Sequence, residues 1–164
     1  MTTSREWKRL TEAQKEIIKK YQSYFPVPVG AIAKELGAIV KKATLPAGIS
    51  GEIKEYEGKC LIRVNRHDVK ARQRFTLAHE IGHFLLHREL IGDGIADDIL
   101  YRSSLSDALE AEANRLAADI IMPLNLIDKS QEKFSGLKKE EQYEAIAAEA
   151  EISVTAIKIR LGII

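Results

Sequence analysis

The stretch RFTLAHEIGHFLLH, residues 74–87, constrains this chain more than any other part of it. Phe75, Leu77, Ala78, Ile81, Leu85 and Leu86 recur at helical spacing and predict a helix from about residue 69 to 87. Two histidines and a glutamate sit inside it, flanked by apolar residues on both sides. A buried polar group without a partner is costly, so a second element or a metal must meet this helix. The alternative is a surface helix whose polar face carries the three residues. With 4 histidines in the chain, a chance HExxH somewhere in it is about a 1% event.

The motif reads His79-Glu80-Ile81-Gly82-His83. Residues four apart lie one above the other on a helix face, so both imidazoles can reach one zinc ion, at about 2.0–2.1 Å each. Glu80 is rotated by roughly 100° from His79. It can border the metal without ligating it, take a proton from the attacking water and pass it to the leaving amine. A catalytic zinc with an open position needs a third protein ligand. His87 lies roughly 12 Å along the axis from His79 and cannot share the ion. The longer HExxHxxGxxH pattern fails, because Leu86 and Glu89 stand where its glycine and third histidine belong.

The segment DALEAEAN, residues 107–114, offers Glu110 and Glu112, which project about 200° apart on a helix. Glu110 groups with Asn114, Ala117 and Ile121, an inward set. Glu112 groups with Arg115 and Asp119, which reads as a solvated face. Glu110 is therefore the expected third ligand, with Asn114 placed to accept a hydrogen bond from a ligand imidazole. Asp107-Ala-Leu-Glu110 also fits a helix capping box, which would use Glu110 differently.

Around these two helices the pattern predicts an α+β domain. A first helix is expected over residues 5–24, with Leu10, Ile17, Ile18 and Tyr21 as its apolar stripe. A short helix after the PVPVG break carries Ile32, Ala33 and Leu36, capped by Gly37. Three strands, about 39–45, 49–57 and 59–65, form a short three-stranded sheet, with Cys60, Ile62 and Val64 alternating against Leu61, Arg63 and Asn65. Glycines and aspartates between residues 92 and 98 read as a loop. A helix over 107–121 stops before Pro123, and two short helices follow, about 139–149 and 153–161. The expected organisation is a zincin-like domain over residues 1–130 and a helical extension, 131–164, packed on it.

Charge excludes little but encourages nothing: Lys plus Arg (25) balances Asp plus Glu (24), net +1. No direct nucleic-acid partner and no membrane partner is expected on that basis. The single cysteine, Cys60, reads as a buried small apolar residue. The charged N-terminal segment has no apolar core for a signal peptide, and a reducing cytoplasm is the expected compartment.

RQRFTLAHEIGHFLLH (Arg72 to His87) followed by EAEANRLAADIIMP (Glu110 to Pro123) resembles the ImmA/IrrE family of metallo-endopeptidases. The likeness extends more weakly to VPVGAIAKELG upstream and EISVTAIKIRLG downstream. It implies one zinc per chain, held by His79, His83 and Glu110, with Glu80 as the catalytic glutamate. It also implies a compact gluzincin-like fold, in which the strand before the active-site helix, about Cys60 to Asn65, pairs with an extended substrate. The implied substrate is a protein, a helix-turn-helix repressor or a similar regulatory partner.

Two other functions compete. AIAAEAEISVTAIKIRLG has a helix-turn-helix rhythm, but its second helix offers only Lys158 and Arg160 for phosphate contacts. A latent or non-catalytic zinc-binding partner protein would keep the site without using it, although a structural site has no need of Glu80. Tyr101, Arg102 and His87 are candidates for stabilising the oxyanion. His67 and the basic run Arg66, Lys70, Arg72 and Arg74 read as solvated.

Overall fold

The structure is a computed structural model and describes residues 2–92, 94–98 and 105–164. The N-terminal segment makes one 3-10 turn, Trp7–Arg9, before helix α1, Glu12–Lys20. The expected helix over 5–24 is thus shorter at both ends, starting at Glu12 and stopping at Lys20. Thr11 caps α1 with a reciprocal box, its side chain accepting from Gln14 N while Gln14 accepts from Thr11 N. Such a box fixes a helix start, and Thr11-x-x-Gln14 carries it in the sequence. Helix α2, Val29–Leu36, ends on Gly37 at φ +102°, the left-handed conformation that glycine adopts without penalty.

Strands β1 (Ala38–Ala43), β2 (Ile49–Tyr56) and β3 (Lys59–Asn65) match the three expected ones. Cys60, Ile62 and Val64 point into the core, as their alternation requires. A fourth strand, β4 (Ile95–Asp98), joins them, so the sheet is four-stranded, in the order β1-β3-β2-β4. The segment read as a loop contains β4 because four residues with one β-branched side chain carry almost no period-2 signal. β1 runs parallel to β3, while β2 is antiparallel to both β3 and β4. β3 is hydrogen-bonded on both sides and has no free edge. Substrate pairing along residues 60–65 is therefore ruled out, and the edges belong to β1 and β4.

Helix α3, Lys70–Leu86, lies against β2 and β3, and a single turn, α4 (Arg88–Ile91), follows it. Helix α5, Asp107–Ile121, packs along α3. Ser106, not Asp107, is its N-cap, accepting from Leu109 N at 3.3 Å. Glu110 is thereby one residue too far along for a capping box, and its carboxylate faces inward. Helix α6, Leu124–Lys133, starts directly after Pro123 and was not expected from the sequence. Helices α7 (Lys139–Ala150) and α8 (Val154–Arg160) close the chain, with Ser153 capping α8 through Ala156 N.

The face of α5 read as solvated is covered. Asp119 is buried, accepting from Ser4 N and Oγ at 3.0 and 2.6 Å and pairing with Arg160 at 3.0 Å. Arg160 also donates to Met122 O, and Lys158 pairs with Glu140 at 2.9 Å. Both basic residues of the helix-turn-helix-like segment are therefore engaged within the fold. Members of the basic run are engaged as well: Arg66 donates to Lys42 O, Lys70 pairs with Glu151, and Arg74 donates to Glu151 O and Val27 O. Among the described residues, no helix is long and apolar enough to cross a membrane.

Candidate metal centre

The centre begins with a close approach of two helices. A Cβ placed on Gly82 would lie 2.8 Å from the carbonyl oxygen of Ala113 and 3.0 Å from its Cα. Only glycine lets α3 and α5 touch here. The contact sits between the level of His79 and His83 on α3 and that of Glu110 on α5, so it draws the three side chains together. Glu110 Oε2 is 3.0 Å from His79 Nε2, and Glu110 Oε1 is 3.1 Å from His83 Nε2. All three ligand-type atoms lie within 4.8 Å of one another, and all three residues are buried.

The donor set fits a zinc ion. Tetrahedral coordination with arms of about 2.1 Å spaces the donors by about 3.4 Å, close to these distances. The proton arrangement points the same way. His79 Nδ1 donates to Asn114 Oδ1 at 2.8 Å, and a carbonyl oxygen can only accept. A neutral His79 ring then directs its Nε2 lone pair at a carboxylate, two acceptors 3.0 Å apart. A cation between them removes the conflict.

Glu80 is fully buried next to this group but is not part of it. Strand β2 passes over it at Gly51, where a Cβ would meet Thr76 Cγ2 at 2.5 Å and Glu80 Oε1 at 3.4 Å. The missing side chain at Gly51 makes room for the Thr76 methyl, one turn before Glu80 on α3. The register places Gly51 opposite Asp97 of the edge strand β4.

His87, an oxyanion candidate, sits elsewhere. It is buried behind His83, with the two Nδ1 atoms 2.9 Å apart, and its Nε2 is 2.9 Å from Glu112 Oε1. Burial lowers its pKa below the usual histidine value, against the opposing hydrogen bond to Glu112. Its hydrogen bond to His87, followed by that to Arg9, holds the Glu112 carboxyl below the usual range despite partial burial. The other two candidates, Tyr101 and Arg102, lie outside the described residues. His67 is exposed, 3.2 Å from Thr44 Oγ1. Sequence reasoning missed the parts played by Gly51, Gly82, Glu112 and Arg9. The one available signal was the i, i+4 spacing of His83 and His87.

A family model described as the IrrE N-terminal-like domain, a peptidase family, matches residues 33–162. This chain belongs to that family. Within the IrrE-like domain, the matched span contains the whole group His79, His83 and Glu110. The chain is also similar to the radiation response metalloprotease IrrE of Deinococcus radiodurans, with 36% identity over 105 residues. That match covers 58% of this chain and 29% of the relative, so the chain spans less than a third of the relative's length.

Proposed function

We propose that this chain is a zinc-dependent endopeptidase that hydrolyses a peptide bond in a protein substrate. One observation carries the reading: two imidazoles and one carboxylate converge from α3 and α5, with a second buried carboxylate, Glu80, beside them. Structural zinc sites close with four protein ligands, whereas three ligands beside an acid–base group form the catalytic pattern. Membership of a peptidase family supports the same reading.

His79, His83 and Glu110 hold the metal in this proposal. Zinc, when bound, supplies a Lewis acid that polarises the scissile carbonyl and makes water more acidic. Asn114 fixes the ring of His79 by accepting from Nδ1. Glu80 takes a proton from the attacking water and returns it to the leaving amine. The outer edge of β4, the strand that pairs with β2 at Gly51, is the surface along which an extended substrate adds as a further strand.

The substrate class we put forward is a regulatory protein of the helix-turn-helix repressor type, cleaved in the cytoplasm. The ImmA/IrrE resemblance supports it, as does the radiation response in the name of the Deinococcus relative. Residues 131–164 serve as a helical extension packed on a zincin-like domain over 1–130.

The test is bound metal by elemental analysis, on protein purified without chelator. Wild type is expected to hold about one zinc per chain, and His83→Ala and Glu110→Ala to lose most of it. Glu80→Gln is expected to keep the metal and lose about 10²–10⁴-fold in peptide cleavage. A wild type that takes up no zinc when supplied with it would overturn the proposal.

A further inference from the structure

A chain of hydrogen bonds begins at the ring nitrogen of His83 that does not face Glu110. His83 Nδ1 is 2.9 Å from His87 Nδ1, and His87 Nε2 is 2.9 Å from Glu112 Oε1. The other oxygen of Glu112 accepts from Arg9 Nη1 at 3.1 Å. From these contacts we infer that His87 and Glu112, anchored by Arg9, are positioning residues for His83 as a metal ligand. The inference rests on the metal-site reading above and adds residues that the ligand set does not contain.

The proton order leaves no choice. If His83 ligates through Nε2, its one proton is on Nδ1 and donates to His87 Nδ1. That atom must then be the acceptor, so the proton of His87 is on Nε2 and donates to Glu112. The carboxylate accepts at both oxygens, one from His87 and one from Arg9. With neutral rings, any other order sets two lone pairs or two protons face to face at one of the two 2.9 Å contacts. The chain therefore selects the His83 tautomer that leaves Nε2 free to coordinate.

The scaffold holds each link in place. His87 N donates to His83 O at 2.8 Å, the last helical bond of α3, so both rings stay on one face. Glu112 lies two residues beyond Glu110 on α5. One helix thus supplies the ligand on the metal side and the orienting carboxylate on the far side. Arg9 comes from the N-terminal turn, ahead of the residues the family model matches.

A merely packed histidine is separated from a positioning one by two substitutions. His87→Asn keeps an acceptor where Nδ1 was, whereas His87→Leu fills the space without one. Zinc dissociation constants, measured by competition with a chromophoric chelator, are expected to weaken about 10–100-fold for His87→Leu and less than about threefold for His87→Asn. Glu112→Ala, at a half-buried site that tolerates truncation, is expected to weaken binding about three- to tenfold. Thermal unfolding of each metal-free variant accompanies these measurements. In zinc-loaded wild type, nitrogen-15 spectra of the histidine rings are expected to show His83 protonated at Nδ1 and metal-bound at Nε2. Equal zinc affinity in His87→Leu and wild type, or coordination of His83 through Nδ1, would overturn this inference alone. A wild type that binds no zinc would overturn the metal-site reading, and this inference with it.

Discussion

Two glycines set the geometry of the centre, and they do so differently. At Gly82 the obstacle to a side chain is the backbone of Ala113, which cannot rotate away. Gly82→Ala is expected to force α3 and α5 apart, destabilising the protein by about 1–3 kcal/mol and weakening zinc binding. Urea unfolding and chelator competition measure the two effects. At Gly51 the nearest atom is a side-chain methyl of Thr76 at 2.5 Å, with the Arg63 carbonyl oxygen at 3.3 Å and Glu80 Oε1 at 3.4 Å beyond it. Gly51→Ala is expected to keep its zinc and to lower peptide cleavage, because Thr76, one turn before Glu80 on α3, must move aside. Cys60 gives a third residue-level expectation. Its burial in β3 pushes the thiol up to about 11, and the thiolate is the reactive form. Alkylation at pH 8 should be slow in the folded protein and fast in denaturant.

At the scale of elements, α5 is a two-sided support. Its inner face carries Glu110 and Asn114, and its outer face is strapped by the N-terminal segment through Ser4–Asp119, Glu6–Arg115 and Arg9–Glu112. Burial alone would raise the pKa of Glu6. The hydrogen bond and charge of Arg115, and then Arg5, outweigh it and hold the carboxyl below the usual range. Its stabilising contribution is therefore complete above the unfolded-state pKa and disappears as pH falls through the lower folded value. The stability gap between wild type and Glu6→Gln is expected to be widest near neutral pH. It should close on acidification below about pH 4. Denaturant midpoints across that range would show it, and a gap independent of pH would contradict it.

The inner face of α5 was legible in the sequence and the outer face was not, for a physical reason. Apolar periodicity says which side of a helix meets a core, so Glu110 could be placed beside Ala117 and Ile121. It does not say which distant segment folds over a polar side. Asp119 therefore read as solvated, although Ser4 and Arg160 bury it from opposite ends of the chain. The contact of His87 was equally hidden, because its partner Glu112 is supplied by another helix. β4 escaped notice because so short a strand takes its identity from β2 rather than from its own residues.

At the scale of the whole molecule, the ligands come from the bodies of two helices well separated in sequence. A bound metal therefore ties α3 to α5 in the folded state only, and binding free energy becomes folding free energy. Zinc at about a thousandfold above its dissociation constant is expected to stabilise the protein by about 4 kcal/mol. Thermal melts with zinc and with chelator should differ for wild type and coincide for His83→Ala.

The touching helices at Gly82 have one more effect. The distance between the two halves of the ligand set is fixed by surfaces in contact, not by the length of chain that joins them. The connecting segment can thus be lengthened, shortened or rewritten while the metal geometry stays constant. The spacing of the ligands is thereby insulated from whatever sequence the stretch between the two helices carries.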